Sequence, residues 1–374
     1  MKLRIAHLAF VLGLAGAVSV GCGSDDDSST PPTGGTGGGA GKGGAGKGGS
    51  GHGGSSAQGG TAEGGSAGTG EAGAEPGGAA GAGGEQGEYA GSGPGGEGGA
   101  LGVVRVYSAT QIERGKVIVR SEALCGNCHT QRGGVELGGN PTFRNGALPA
   151  PNLTDDVTGI GEWTDEQVIN AFRNGIDDDG RHLDAAMPYW FFHNMSDADA
   201  QAVVAFLRSL PHVSLSTGER NPNSVAVAPL SPSSFPETTL APSSANYAEA
   251  QMGKYLVSGV VPCVRCHSSA SGGLPIPDFF SGVPPADGTV IFPPNLTPDD
   301  TGLATWTAAD VAKAIKQGVD TAGRTLCGSM PSGSKGYGGM SDADAHAIGV
   351  YLTTIPKVSK PSASPALQPM CPSP

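Results

Sequence analysis

Positive charge is in short supply in this sequence: 22 lysines and arginines face 34 aspartates and glutamates, for a formal net charge of −12. A surface of that sign repels phosphate backbones, which argues against nucleic acid as a partner. Long apolar runs are missing as well, and beyond Val20 no segment is apolar enough to cross a bilayer. Large apolar side chains are nearly absent from Gly23 to about Ala100, where glycine, alanine, serine and glutamate dominate. Such a stretch cannot bury enough surface to offset its ordering entropy, so residues 23–100 are expected to form a disordered Gly-rich tether. At the dimensions of a flexible coil its end-to-end span is about 50 Å.

What precedes the tether is a short export signal in form. Lys2 and Arg4 lead into an apolar run from Ile5 to Val20, too short for a comfortable membrane span. The sequence VSVGC then places small residues before Cys22 and resembles the lipobox of bacterial lipoproteins, with Ser19 standing where leucine is usual. Residues 1–22 are therefore expected to be a lipoprotein signal peptide with Cys22 as the lipid acceptor. The protein would then be exported and lipid-anchored to a bacterial membrane, on its periplasmic or cell-surface face. A plain secretory signal is the alternative.

Six cysteines remain, and four stand in two identical frames: CGNCH from Cys125 to His129 and CVRCH from Cys263 to His267. A disulfide framework does not explain why histidine follows both pairs. A thioredoxin-like dithiol wants a strand-to-helix context, and both motifs have helical pattern on each side. Zinc knuckles would leave the adjacent histidines without a role. In c-type haem attachment every residue has one: two thiols add across the two vinyl groups, and the next imidazole reaches the iron. The expected cofactors are two covalently bound haem c groups, through Cys125, Cys128, Cys263 and Cys266, with His129 and His267 as proximal iron ligands. Cys327 and Cys371 are left to pair in a disulfide, with Cys327 also a candidate ligand.

The two motifs sit in a longer repeat. Gly115-Lys116 and Gly253-Lys254 begin ten residues before Cys125 and Cys263. PNLTDDVTGIGEWT from Pro151 matches PNLTPDDTGLATWT from Pro294, and Trp163 and Trp306 each precede a Met-Pro, at Met187 and Met330, by 24 positions. MSDADAQAVVAFLRSLP from Met195 matches MSDADAHAIGVYLTTIP from Met340. This gives one unit over residues 101–213 and another over 245–374, the latter with a C-terminal tail. A Pro- and Ser-rich linker over residues 214–244 joins them.

Each unit is predicted to hold three principal helices. The first, near Thr110 to Ser121 or Tyr247 to Ser258, carries the glycine. The second opens on Thr164 or Thr307 with Gln167 or Asp310 at the third helical position, and stops at Gly175 or Gly318. The third opens on Ser196 or Ser341 and carries apolar residues at helical spacing, including Phe206 and Tyr351. An aromatic here facing the glycine of the first helix would let the two cross closely. So small a unit must use the haem as much of its core, and the apoprotein is expected to fold poorly.

The sixth iron ligand decides between electron carriage and open-site chemistry. Met187 and Met330 lie on segments held extended by the following proline, at matching places in the two units. Methionine is usually core filler, but this placement favours ligation, and His/Met ligation leaves no coordination site for a substrate. His182, His193 and Met195 compete in the first unit, Met340 and Cys327 in the second.

Both units resemble class I cytochrome c domains. NLT, TGIG, WTDE, GRHLDAAMPYW, MSDADA and FLRSLPHV are similar to stretches in the cytochrome subunits of bacterial membrane-bound alcohol and gluconate dehydrogenases. The resemblance implies a mainly α fold of tandem class I domains behind the tether, with the same attachment and axial residues. It also implies contact of Trp163 and Trp306 with haem propionates, core packing being the alternative. Those subunits carry three CxxCH motifs and a C-terminal anchor, so a dehydrogenase partner does not follow from the resemblance alone.

Two further motifs are set aside. Asp177-Asp178-Asp179-Gly180 lacks the acidic residue an EF-hand needs at Gly175 and reads as a turn. Asn152-Leu-Thr and Asn295-Leu-Thr fit a glycosylation sequon but belong to the repeat. Nine basic against fourteen acidic residues over 101–213, and seven against nine over 245–358, favour a redox protein with a basic docking patch as partner. The expected function is single-electron transfer between exported or membrane-bound redox proteins, such as a dehydrogenase or a terminal acceptor. The alternative is a dihaem peroxidase or sulfur-compound oxidoreductase with one open or thiolate-ligated haem.

Overall fold

The computed structural model describes residues 105–218, 224–268, 278–283, 293–326, 330 and 336–360. All of them fall in one compact unit. Cys22, Cys327, Cys371, residues 1–22 and the tether lie outside the described residues.

Helices dominate, and among the described residues β-pairing is confined to isolated bridges such as Thr130 with Gly139. The mainly α class expected from the pattern is what is observed. Helix α1, Ala109–Val117, starts on a capping box in which Ser108 and Gln111 each accept a hydrogen bond from the other's backbone N–H. It runs directly into a π-helical turn, Ile118–Glu122. Helix α2, Gly126–His129, is the first CxxCH turn itself. Helix α3, Asp165–Asn174, begins on the Thr164/Gln167 box and ends on Gly175, whose φ of 69° takes the left-handed turn. After the short α4, Tyr189–Phe192, helix α5, Asp197–Arg208, opens on Ser196, whose hydroxyl accepts from the Asp199 N–H.

The second half follows the same order without the π-turn. Helix α6 is Tyr247–Gly259, and α7, Val264–His267, is the second CxxCH turn. Helix α8, Ala308–Gln317, uses Thr307 and Asp310 as its box and ends on Gly318 at φ 67°. A 3₁₀ turn, Tyr337–Gly339, leads into α9, Asp342–Leu352, capped by Ser341.

The crossing of first and third helices is where the glycines earn their place. A Cβ added at Gly115 would fall inside the Ala202 carbonyl of α5 and against Phe206; at Gly253 it would meet Ala347 and Tyr351 of α9. Only hydrogen fits there, so the helices approach backbone to backbone. Leu256, Ile348, Tyr351 and Leu352 are almost fully enclosed around one crossing, and Ile118, Val203, Phe206 and Leu207 around the other. Each such side chain contributes roughly 1.5–3 kcal/mol through apolar burial.

The repeated PNLT closes each half. Asn152 donates from Nδ2 to the Val213 carbonyl at 2.5 Å and Val213 N–H donates to Thr154 Oγ1 at 3.1 Å, tying the segment after α5 to the loop. Asn295 and Thr297 do the same to Val358, at 2.8 and 3.1 Å. These four side chains are buried, so the apparent sequons are structural clamps.

The halves meet along a polar seam. Tyr255 of α6 donates to Asp199 Oδ2 at 2.7 Å, and Asn194 reaches the Leu230 and Ser258 carbonyls at 2.8 and 3.0 Å. Gly339 packs directly on Ser121 of the π-turn, with no room for a Cβ. Arg114 of α1 crosses to Asp344 of α9 at 3.2 Å.

Candidate functional site

Each CxxCH motif forms one helical turn, which places both cysteines and the histidine on a single short element. The chain enters the first through Leu124, held at φ 54°, and the Cys125 N–H closes back on the Val119 carbonyl at 3.0 Å. The left-handed residue turns the chain out of the π-turn and aims α2.

The histidines are buried and each is oriented by one backbone oxygen. His129 donates from Nδ1 to the Pro151 carbonyl at 2.8 Å, and His267 from Nδ1 to the Pro294 carbonyl at 2.9 Å. A carbonyl only accepts, so the proton sits on Nδ1 and the Nε2 lone pair is left for a metal. Burial holds both imidazoles below their ordinary acidity range, against the pull of these carbonyls, which keeps them neutral and their Nε2 lone pairs available. The prolines that fix the tautomer are the first residues of the repeated PNLT. Sequence reasoning found the motif without its purpose; its equal recurrence after both histidines was the available signal.

Cys125, Cys128 and Cys263 carry free thiols. Burial pushes Cys125 and Cys263 up to about 12, so both are fully protonated at neutral pH. Cys128 is raised by burial too, opposed by the guanidiniums of Arg265 and Arg144. Arg265 lies between Cys263 and Cys266, so the second motif reaches into the electrostatic surroundings of the first. Cys266 is engaged in a disulfide. One sulfur cannot be in a disulfide and a thioether at once, so attachment at Cys266 requires that bond to be reduced.

Met187 is half-buried against the core on a turn built by Asp184, whose Oδ1 accepts from the Ala186 N–H at 2.9 Å and whose carbonyl accepts from Met187 N–H at 3.0 Å. Pro188 then starts α4, and Tyr189 stacks its ring over Gly175. Met330 is also half-buried against the core. The competing methionines, Met195 and Met340, are core residues with 2% exposure each. His193 bonds Asn174 Oδ1 through Nδ1 at 2.8 Å on the surface.

Trp163 and Trp306 pack half-buried against the core at the foot of α3 and α8. The Trp163 carbonyl is gripped by Arg105 at 3.0 Å and Arg208 at 2.6 Å, and Arg208 also pairs with Asp155 and Asp165. The acidic run makes a turn: Asp177 Oδ1 accepts from the Asp179 and Arg181 N–H groups at 3.0 and 2.8 Å. Asp320 repeats this with Ala322 and Arg324.

The first site fits a covalently held haem on its own geometry: two half-buried thiols and a neutral, preset imidazole on one turn, with the Met187 thioether on a fixed loop of the same half. The second offers the same preset imidazole, with Met330 half-buried against the core and one of its two thiols engaged. Among the described residues no helix is long and apolar enough to cross a membrane.

Comparison with known proteins gives the same reading. Residues 110–207 match the family described as cytochrome c oxidase, cbb3-type, subunit III. The chain is 31% identical over 274 residues to the cytochrome c subunit of a quinone-dependent alcohol dehydrogenase from Komagataeibacter europaeus, covering 66% of this chain and 56% of that one. It is 27% identical to a diheme cytochrome c-type protein of Cereibacter sphaeroides over 63% of this chain and 82% of that one. It is also 27% identical to the gluconate 2-dehydrogenase cytochrome c subunit of Pantoea cypripedii, over 65% and 59%. The chain thus spans a little over half the length of the dehydrogenase subunits it matches. With the CxxCH turns and their buried histidines, these matches show a cytochrome c domain over residues 110–207, similar to the family described as cytochrome c oxidase, cbb3-type, subunit III, and that domain type implies covalently bound haem c.

Proposed function

We propose that the chain is a dihaem electron relay, carrying single electrons between exported redox proteins through two His/Met-ligated haems. The observation that carries this reading is the pair of buried histidines locked by Pro151 and Pro294. Both are neutral metal ligands in waiting, one in each half. When bound, haem supplies a one-electron ferric/ferrous couple.

The protein's own contribution is positional. Cys125 and Cys128, and in the second half Cys263 and Cys266, tether the group by thioethers. His129 and His267 would ligate the iron through Nε2. Met187 and Met330 are assigned as the second ligand in each half, which would leave no open coordination site for a substrate and limit the chemistry to outer-sphere transfer. Trp163 and Trp306 are assigned to the propionate side. The two halves, 101–213 and 245–374, act as successive stations joined by the 214–244 linker and by the seam between them.

The donor in this proposal is a dehydrogenase, by analogy with the relatives named as dehydrogenase subunits. The acceptor is a further exported or membrane-bound redox protein. Cys22 acylation holds the assembly to a membrane, and residues 23–100 give it reach.

The deciding experiment is a pyridine haemochrome count on protein matured by a cytochrome c assembly system, with low-temperature magnetic resonance of the ferric form. Two low-spin haems per chain support the relay. A high-spin or thiolate-ligated haem in the unmutated protein overturns it in favour of a catalytic site.

A further inference from the structure

The most unusual group in the molecule lies outside the haem sites. Glu122 ends the π-turn, three residues before Cys125, and is 0% exposed. Its Oε1 accepts from Arg114 at 3.0 Å, while its Oε2 is the buried polar atom left without a partner among the described residues. The same Arg114 holds Asp199 through two bonds of 2.9 and 3.0 Å and Asp344 through one of 3.2 Å. Three carboxylates therefore converge on one guanidinium.

The groups facing Glu122 can be read off element by element. Helix α1 supplies Arg114, α5 supplies Asp199, and α9 supplies Asp344. Helix α6 supplies the neutral Tyr255, already bonded to Asp199. The 3₁₀ turn Tyr337–Gly339 brings only Gly339 against Ser121. Arg120 of the π-turn is engaged by Glu136, at 2.6 and 2.7 Å. One cation shared among three acids leaves the fully enclosed Glu122 carboxyl, with its Oε2 unpartnered, the least compensated of them. The least expensive state binds a proton.

The fold does not need this acid. Counting from the paired glycines, the position of Glu122 corresponds to Val260 in the second half, which is equally buried, and that of Arg114 to the exposed Met252. The second half therefore builds the same crossing with no buried charge.

We infer that Glu122, sharing Arg114 with Asp199 and Asp344, is a redox-linked proton site for the haem attached at Cys125 and Cys128. When one electron arrives at the His129 site, one proton from solvent binds Glu122 Oε2, and it leaves when the electron is passed on. The electron comes from the donor of the relay, and no further reactant is required. Arg114 is partly exposed at the rim of the seam, which gives water a route to the cluster. Burial, reinforced by Asp344, lifts the Glu122 carboxyl to about 8 against the pull of Arg114, within reach of ordinary working conditions. This inference rests on the proposed electron-transfer function of the first haem.

The test is a potentiometric titration of the mature holoprotein, followed optically, at a series of pH values on either side of 8. In the unmutated protein the reduction equilibrium of one haem should fall with rising pH by up to about tenfold per unit, a slope of about 59 mV for a one-electron couple. Glu122→Gln should flatten that haem and leave the other unchanged. Asp344→Asn, which removes the neighbouring charge and leaves the carboxyl in place, should move the sloping window to lower pH. The protonated-carboxyl band in the redox infrared difference spectrum should vanish in Glu122→Gln. A pH-independent first haem in the unmutated protein, or an unchanged slope in Glu122→Gln, overturns the proton link while leaving the relay intact. Haem that takes up no electron at all sinks the relay itself.

Discussion

The Nδ1–H of His129 donates to the carbonyl of Pro151 at 2.8 Å, across 22 residues of loop. One bond thereby joins the CxxCH turn to the segment that also clamps Val213 through Asn152. The histidine tautomer, the loop and the end of α5 are set together, and His267, Pro294 and Val358 repeat the arrangement through Asn295. Losing the clamp should therefore disturb a site that Asn152 does not touch.

Asn152→Ala is expected to destabilise the holoprotein by about 2–3 kcal/mol, since it leaves buried partners such as the Val213 carbonyl unmatched. Pro151 should lose its register, and the first haem should show a broadened low-spin signal while the second stays sharp. Chemical unfolding and magnetic resonance of the same preparation measure both effects. Destabilisation with an unperturbed first haem would separate the clamp from the histidine.

Gly115→Ala and Gly253→Ala each place a methyl group inside a backbone carbonyl of the partner helix. The helices must part, at a cost of about 1–3 kcal/mol or more. Each variant should lose haem loading mainly in its own half, by severalfold, because α1 and α6 lead directly into the attachment turns. Equal loss at both haems would show that the halves fold as one.

Much of this was legible in the residues. Capping boxes at Thr164 and Thr307, stops at Gly175 and Gly318 and the glycine-to-aromatic crossing depend on local rules, and the structure keeps them. The π-turn at Ile118–Glu122 was not legible, because nothing in the local propensity of these residues sets it apart from the α-helix it continues. Nor could the histidine partners be read, since a proline carbonyl has no sequence signature of its own. The Glu122 cluster brings together residues as far apart as 114 and 344, a convergence that no spacing in the chain announces.

Met187→Ala and Met330→Ala are expected to convert one haem each from low to high spin, removing half of the methionine-to-iron band per variant. The surrounding turn should survive at Met187, because Asp184 builds it through its Oδ1 and carbonyl, which accept from the Ala186 and Met187 N–H groups and do not involve the Met187 side chain. Optical spectra of the ferric protein report the change. Retention of the full band in either variant would pass ligation in that half to another side chain, with His182 or Met340 next in line.

Cys266 sets a condition on cofactor loading. While it remains in its disulfide only Cys263 of the second pair is free to react, whereas both thiols of the first pair are available. Apoprotein kept oxidised should therefore gain one doubly attached haem per chain, and apoprotein reduced beforehand should gain two. Mass spectrometry of the denatured product counts them. Two doubly attached haems without prior reduction would mean that the disulfide exchanges on its own during attachment.

Glu122 predicts how stability varies with pH, and the sign can be worked out. Its carboxyl ordinarily titrates at 4.5 and in the folded protein is lifted to about 8 by burial. Between those values the folded state holds a proton that the unfolded chain has released. Stability from this group is therefore full below the lower value and is lost as pH rises through the upper one. The slope is at most about 1.4 kcal/mol per pH unit, and less where water enters the seam. Glu122→Gln keeps the neutral amide at every pH and should remove this slope from unfolding curves of the holoprotein between pH 5 and 8. An unchanged slope would place the titrating group elsewhere, and Asp199 is a poor substitute: although burial opposes it, bonds from Arg114 and Tyr255 hold that carboxyl below its ordinary range. A carboxylate depressed in this way is ionised in both states across this window and loses its stabilisation only at lower pH, so Asp199 gives no slope between pH 5 and 8 and the measurement distinguishes the two residues.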